Sequence, residues 1–343
     1  MWLSPEKVGK FGRSERVSTL VSARRRRFFA PSAARILAAI LVATGVALAL
    51  PGLAGASYGW PIQPFGQEHP VRGQLNDPRT NGADYYTASS HTFHFGLDIA
   101  APAGPAVYAV APGRVHYVSS SAVAVRGPKG NFGYWHILPV GKNDRNVKLH
   151  ALLGYVAPGR DHVHFAESRS GHYVNPLRRG ALTPYTDTTP PTISSLSYYD
   201  GSYHDLTAAT VAGKLRLTVS AFDTPQLVSN WLWAVVTPAK IGWQVFNSDG
   251  LSVTTGHWDF GSMLCSLNPL DVFAPGTLKN NSQRPGDYNY WLGPQWDTSK
   301  VKNGAYWLVV NVNDVRDNAA TKSVNFTVAN SKASATRAPA GVK

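Results

Sequence analysis

His94-Phe95-Gly96-Leu97-Asp98 places an imidazole and a carboxylate four residues apart. Side chains on an extended chain repeat every second residue, so both fall on one face. His162-Val163-His164-Phe165 repeats the device with two imidazoles on one face and a hydrophobe between them that points to the other side. A His and an Asp from one fragment and two His from another meet the needs of a catalytic zinc site: three ligands, one open position and one free base. Each fragment alone recurs by chance in chains of this size. The middle fragment, Tyr134-Trp135-His136-Ile137-Leu138, follows the strand-like Val123-Ala124-Val125 and supplies the second non-ligand histidine such chemistry would use. The chain has no His-Glu-x-x-His motif, which excludes the commonest zinc protease layout and leaves histidine as the candidate general base.

At these residues the sequence resembles the lysostaphin-type (LytM-like) zinc metallopeptidases, which cut peptide cross-links in bacterial cell walls. The resemblance runs from Phe65-Gly66 through the His-Phe-Gly-Leu-Asp motif, Ala101 to Ala109, Gly113-Arg114-Val115, the Tyr-x-His fragment and Leu153 to Val156. It then takes in His162 to Glu167 and ends at Val174-Asn175-Pro176-Leu177. It implies an antiparallel β domain, with His94, Asp98 and His164 as zinc ligands and His136 and His162 as the catalytic pair beside the metal. Two departures stand out. Ala157-Pro158-Gly159-Arg160-Asp161 replaces the family's Gly-Ser/Thr-Gly-rich loop, and the segment from Gln67 to Thr92 is long, so it walls the groove or occludes it as an inhibitory arm.

Working outward, 343 residues accommodate two domains, and 31 Gly and 24 Pro argue against a helical bundle. Thr186-Asp187-Thr188-Thr189-Pro190-Pro191 reads as an extended, exposed linker near the boundary. The organisation expected is an export signal over 1–56, a LytM-like metallopeptidase domain over 57–187, an immunoglobulin-like β-sandwich over 188–329 and a disordered tail over 330–343. The fold class is thus mainly β. In the second domain strands are expected at Thr192–Tyr199, Lys214–Ala221, Trp231–Val236, Ile241–Phe246, Tyr306–Val312 and Val324–Val328, where apolar residues alternate. The stretch Gly250–Lys300 reads as an aromatic-rich insertion. The terminal hairpin resembles the end of bacterial immunoglobulin-like domains in architecture alone.

The leader has a basic stretch ending in Arg24 to Arg27, an apolar run from Ile36 to Leu50, and Ala54-Gly55-Ala56. It reads as an export signal cleaved after Ala56, and the arginine run also approximates a twin-arginine signal. Nine Lys/Arg against Glu6 and Glu15 lie in the leader, so the net charge of +13 falls to 24 − 18 = +6 beyond it. A mild positive balance without a basic run interleaved with aromatics argues against nucleic acid and suits an anionic wall polymer. The resemblance, supported by the export signal and this charge, implies peptidoglycan or another bacterial wall peptide as partner, a zinc ion as cofactor, and the periplasm, cell envelope or extracellular space as location. Two rival readings are a catalytically silent wall-binding or amidase-activating module, and an adhesion protein worked by its second domain. A single cysteine, Cys265, excludes an intramolecular disulfide and reads as a buried small hydrophobe. Glu167 reads as an outer-shell partner of a motif histidine or a solvated strand-end charge, and His91 as surface or outer shell. Asp314 and Asp317 read as turn caps or as neighbours of a calcium ion.

Overall fold

A computed structural model describes residues 57–80, 91–227, 235–281 and 284–330. The export signal over 1–56, the tail beyond 330 and most of the expected Trp231–Val236 strand lie outside the described residues. The described residues form one compact unit with two hydrophobic cores, hence two β lobes.

The fold is mainly β with antiparallel sheets, as the turn-rich composition predicts, and Pro269–Val272 is the one α-helix among the described residues. The first lobe is built on an eight-stranded sheet. Its path runs Val71–Gly73, Leu97–Ala100, His162–Arg169, Gly130–Trp135, Ala122–Gly127, Gly113–Ser119 and Asn146–Val147, with His172–Val174 paired to the His162–Arg169 strand. A three-stranded sheet of Ala106–Tyr108, Leu152–Val156 and Ile137–Pro139 packs with it. Ala122–Gly127 carries the run Val123-Ala124-Val125 buried on both faces, which explains its continuous apolar reading.

The second lobe has two five-stranded sheets around a common core. One centres on Thr192–Tyr199 and Lys214–Phe222; the other orders Thr210–Val211, Ala319–Val328, Gly304–Asn313, Lys240–Asn247 and Ser252–Asp259. The stretch Gly250–Lys300 is not an insertion. It supplies the edge strand Ser252–Asp259 to one sheet and Asn289–Trp291 to the other. The edge strand hides from sequence patterning because none of it is fully buried and its half-buried positions include Thr254 and Gly256 as well as Val253 and Trp258.

The segment between the lobes is exposed at Thr186 and Thr188–Pro190, but Asp187 is buried. The Tyr185 hydroxyl donates to Asp187 Oδ2, and Asn318 Nδ2 donates to the Asp187 carbonyl. Arg316 crosses from the second lobe to donate to the carbonyls of Leu177 and Tyr185. Cys265, expected to be buried, is exposed, because it lies in a turn outside either core.

Asp187, Asp223 and Asp314 meet here, buried, with carboxylate oxygens within 4.8 Å of one another. Asp314 caps its turn by accepting from the backbone N–H groups of Arg316 and Asn318, and the exposed Asp317 pairs with Arg179. Burial first, then the carboxylates of Asp187 and Asp314, pushes Asp223 up to about 8. A carboxyl raised in the folded state contributes stability that is complete below its unfolded pKa and lost as pH rises through about 8. Thermal melts of Asp223→Asn should match the wild type near pH 4 and exceed it by a few degrees at pH 9. A variant that melts lower at pH 9 would show that the carboxylate is needed there.

Candidate metal centre

Two neighbouring strands of the large sheet set the heart of the site. Leu97–Ala100 pairs with His162–Arg169 so that Asp98 stands directly opposite His164, on the same face. His164 is in turn opposite Trp135 on its other side, which brings the strand end at His136 alongside. His94 departs from the simple expectation, because it precedes its strand rather than alternating along it. Its backbone is held instead by Asp77, whose carbonyl accepts from His94 N–H at 2.9 Å, and by Asn76, whose N–H donates to the His94 carbonyl at 2.8 Å. Gly96 permits the bend: a Cβ there would lie 2.5 Å from the Phe165 carbonyl oxygen and 2.8 Å from His164 Nε2.

The structure brings the three sequence fragments together. His94 Nε2, His164 Nδ1 and Asp98 Oδ1 form a triangle with edges of 2.8, 3.0 and 3.0 Å. Ligand atoms about 2.0–2.1 Å from a tetrahedral metal are about 3.3 Å apart, so the three need only a small outward relaxation to hold one ion. His94 Nδ1 donates to the Gln74 carbonyl at 2.8 Å, which leaves Nε2 with a lone pair facing the triangle. The Nε2 lone pair of His94 and the Asp98 carboxylate face one buried point beside His164 Nδ1, where either a proton on that nitrogen or a cation satisfies them. Burial pushes His164 down to about 4 and lowers His94, to which the Arg79 guanidinium adds, so both rings are neutral near pH 7. Burial opposes ionisation of Asp98, but His94 and Arg79 outweigh it and hold the carboxyl well below the usual range. The donor set, two neutral imidazoles and one carboxylate, suits a transition metal.

His136 and His162 flank the triangle. Their rings lie 4.5 Å apart, edge to face, and His162 Nε2 is 3.6 Å from Asp98 Oδ1. His136 holds the left-handed backbone at φ 66°, where one strand ends at Trp135 and the next begins at Ile137. Such strain on a non-glycine residue costs on the order of 1–2 kcal/mol and is common at functional sites. Phe95, Trp135 and Tyr173 cluster around the far side of His164, with the Phe95 ring 4.3 Å from the imidazole. Glu167 does not orient a histidine. It is three residues along the strand and so points away, into buried ion pairs with Arg178 and Arg169 and a 2.6 Å hydrogen bond from Tyr58. His91 lies on a two-stranded ribbon with Thr80, apart from the donor triangle.

Sequence reasoning missed the groups that hold the donors. Arg79 Nη2 donates to Asp98 Oδ2 at 2.7 Å, which leaves Oδ1 for the triangle. A Cβ on Gly73 would lie 2.8 Å from that guanidinium, so the strand passing Arg79 must be bare there. These residues belong to the Gln67–Thr92 segment expected to wall or occlude the groove. Its residues 74–79 brace the donors, and 81–90 lie outside the described residues.

The brace is anchored in the second lobe. Asn76 Nδ2 donates to the carbonyls of Phe260 and Ser262, and Asn76 Oδ1 accepts from Leu264 N–H. The buried Asp77 accepts from Thr237 N–H at 2.8 Å, and Gln74 donates its side-chain amide to the Thr237 carbonyl. Phe93, adjacent to His94, is part of the second lobe's core, its ring 5.9 Å from Phe273.

No family model and no curated protein matches the chain. Among solved structures, pseudoalterin, described as an M23 metalloprotease from the deep sea, is similar at 18% identity, covering 39% of this chain and 82% of that one with a TM-score of 0.28. An M23 peptidase from Pseudomonas aeruginosa is similar at 24% identity and a TM-score of 0.21; the match covers 33% of this chain and 48%, about half, of the other. With overlap this partial, function is read from the site itself.

Two substitutions probe the bracing. Arg79→Met keeps all three donors but frees Asp98, and Asn76→Ala removes contacts with the second lobe and strains a backbone held at φ 68° beside His94. Each should weaken zinc binding by about 10- to 100-fold in competition titrations, the usual effect of losing a ligand's supporting partner. Wild-type affinity in both variants would show that the donors stand without support.

Proposed function

We propose that the chain is an exported zinc metalloendopeptidase that hydrolyses peptide bonds, in peptidoglycan cross-links or stem peptides. The observation that carries this reading is the donor triangle of His94, Asp98 and His164 with two further imidazoles, His136 and His162, beside it. A structural zinc site closes all four positions with protein ligands, whereas three ligands flanked by two further imidazoles suit catalysis.

A zinc ion held there would supply Lewis-acid activation of water and of the scissile carbonyl. His162 turns Nε2 toward the triangle at 3.6 Å from Asp98 Oδ1, within reach of a proton released by the attacking water. Burial, then the neighbouring His162 and His164, pushes His136 down to about 4, so at neutral pH its ring is uncharged and keeps one N–H to donate to a developing oxyanion. Arg79 keeps Asp98 ionised, and Gln74 keeps His94 in the tautomer that offers Nε2. The wall substrate is supported by the export-type leader, the mild positive balance beyond it and the motif resemblance.

Purified peptidoglycan incubated with the protein, with and without chelator, and resolved by mass spectrometry tests this directly. New amino termini within the peptides, absent with chelator, are expected. His94→Ala, Asp98→Ala and His164→Ala should lose both zinc and turnover. His136→Ala and His162→Ala should keep about one zinc per chain yet lose turnover on the order of 100-fold or more. Zinc-loaded wild type that binds wall but releases no fragment would establish a silent module instead.

A further inference from the structure

The peptidase reading leaves one question at His162: what decides which ring nitrogen carries the proton. A base that is to take a proton at Nε2 must hold its resting proton on Nδ1. We infer that Asp161, itself held by Arg72, is a positioning residue that fixes His162 in the Nδ1–H tautomer with Nε2 turned to the metal centre.

His162 Nδ1 lies 2.8 Å from Asp161 Oδ1, while Nε2, on the opposite edge of the ring, lies 3.6 Å from Asp98 Oδ1. An ionised carboxylate only accepts, so the 2.8 Å contact requires the proton on Nδ1. Although partial burial works the other way, the Arg72 guanidinium and the hydrogen bond from His162 hold Asp161 below the usual carboxylate range. Arg72 Nη1 is 2.5 Å from the same Asp161 oxygen, and its side chain is only 18% exposed. Arg72 sits on Val71–Gly73, the strand that pairs with Leu97–Ala100, which pairs in turn with the strand opening at His162. The ion pair therefore spans the three strands that build the site. Asp161 lies just before its strand, and its carbonyl accepts from Ala101 N–H at 3.1 Å, so its backbone is tied to the same sheet. A residue one position along a strand would point to the other face; in the preceding turn its side chain folds back onto its neighbour's ring. Ala157-Pro158-Gly159-Arg160-Asp161, a departure from the family's loop, thus delivers a carboxylate to the base.

The inference rests on the peptidase reading but is tested apart from it. Long-range ¹H–¹⁵N correlation of the zinc-loaded full chain, with His162 assigned by comparison with His162→Gln, should show His162 protonated on Nδ1 and bare at Nε2. Asp161→Ala should bind zinc as the wild type does and convert His162 to a mixed or Nε2–H tautomer, and Arg72→Met should shift it partway. In wall-peptide hydrolysis kcat should fall about 10- to 100-fold with KM nearly unchanged, because ground-state binding is untouched. Should Asp161→Ala fail to fold, Asp161→Asn gives the same readout, since an amide can donate to Nδ1 and favour the opposite tautomer. A single Nδ1–H tautomer persisting without the Asp161 carboxylate would overturn the inference. A wild type that shows the expected tautomer and binds zinc but cleaves no peptide would sink the peptidase reading and leave the positioning role standing.

Discussion

Three buried donor atoms, His94 Nε2, His164 Nδ1 and Asp98 Oδ1, face one another at 2.8–3.0 Å, and the rest of the site is arranged around the cost of keeping them there. An imidazole lone pair and a carboxylate that face one buried point gain from a cation held between them. Every neighbouring contact works against relaxation. Gln74 takes the outward proton of His94, Arg79 takes the outward oxygen of Asp98, and the aromatic rings of Phe95 and Trp135 crowd His164. Gly96 and Gly73 leave the space in which these approaches are possible.

This bracing ties the second lobe to the donor triangle without a side chain in the site. Gln74, Asn76 and Asp77 face the metal centre through their backbones and the second lobe through their side chains. Phe93 buries its ring in one core while the next residue serves the other lobe. Burying such a ring contributes about 1.5–3 kcal/mol, and each satisfied polar contact about 1 kcal/mol, so the junction is held by several modest terms rather than one large one. The lobes act as a single compact unit, and the second is better described as a buttress of the metal centre than as a tethered module.

The mainly β class and the convergence of the five motif residues were legible in the sequence because strand period and motif order are local properties. Asp98 and His164 are adjacent through strand register, and the alternation within His162-Val163-His164 survives in the structure. What stayed hidden was non-local or irregular. Arg72, Gln74 and Arg79 act across turns and neighbouring strands, with no spacing that relates them to the motifs. Asp161 was visible but read as a loop substitution, since adjacent residues on a strand do not share a face. Glu167 was misjudged because its partner Arg178 lies beyond a turn, and Gly250–Lys300 because the half-buried positions of its edge strand include Thr254 and Gly256.

X-ray absorption at the zinc edge of the purified, metal-loaded chain tests the central claim most directly. Expected is a shell of two imidazole nitrogens and a carboxylate oxygen at about 2.0–2.2 Å, completed by a light-atom ligand from solvent, with no sulfur. In Asp98→Ala or His164→Ala that shell should be lost. A sulfur ligand, an all-oxygen octahedral shell, or an unaltered spectrum in those variants would place the metal elsewhere and contradict it.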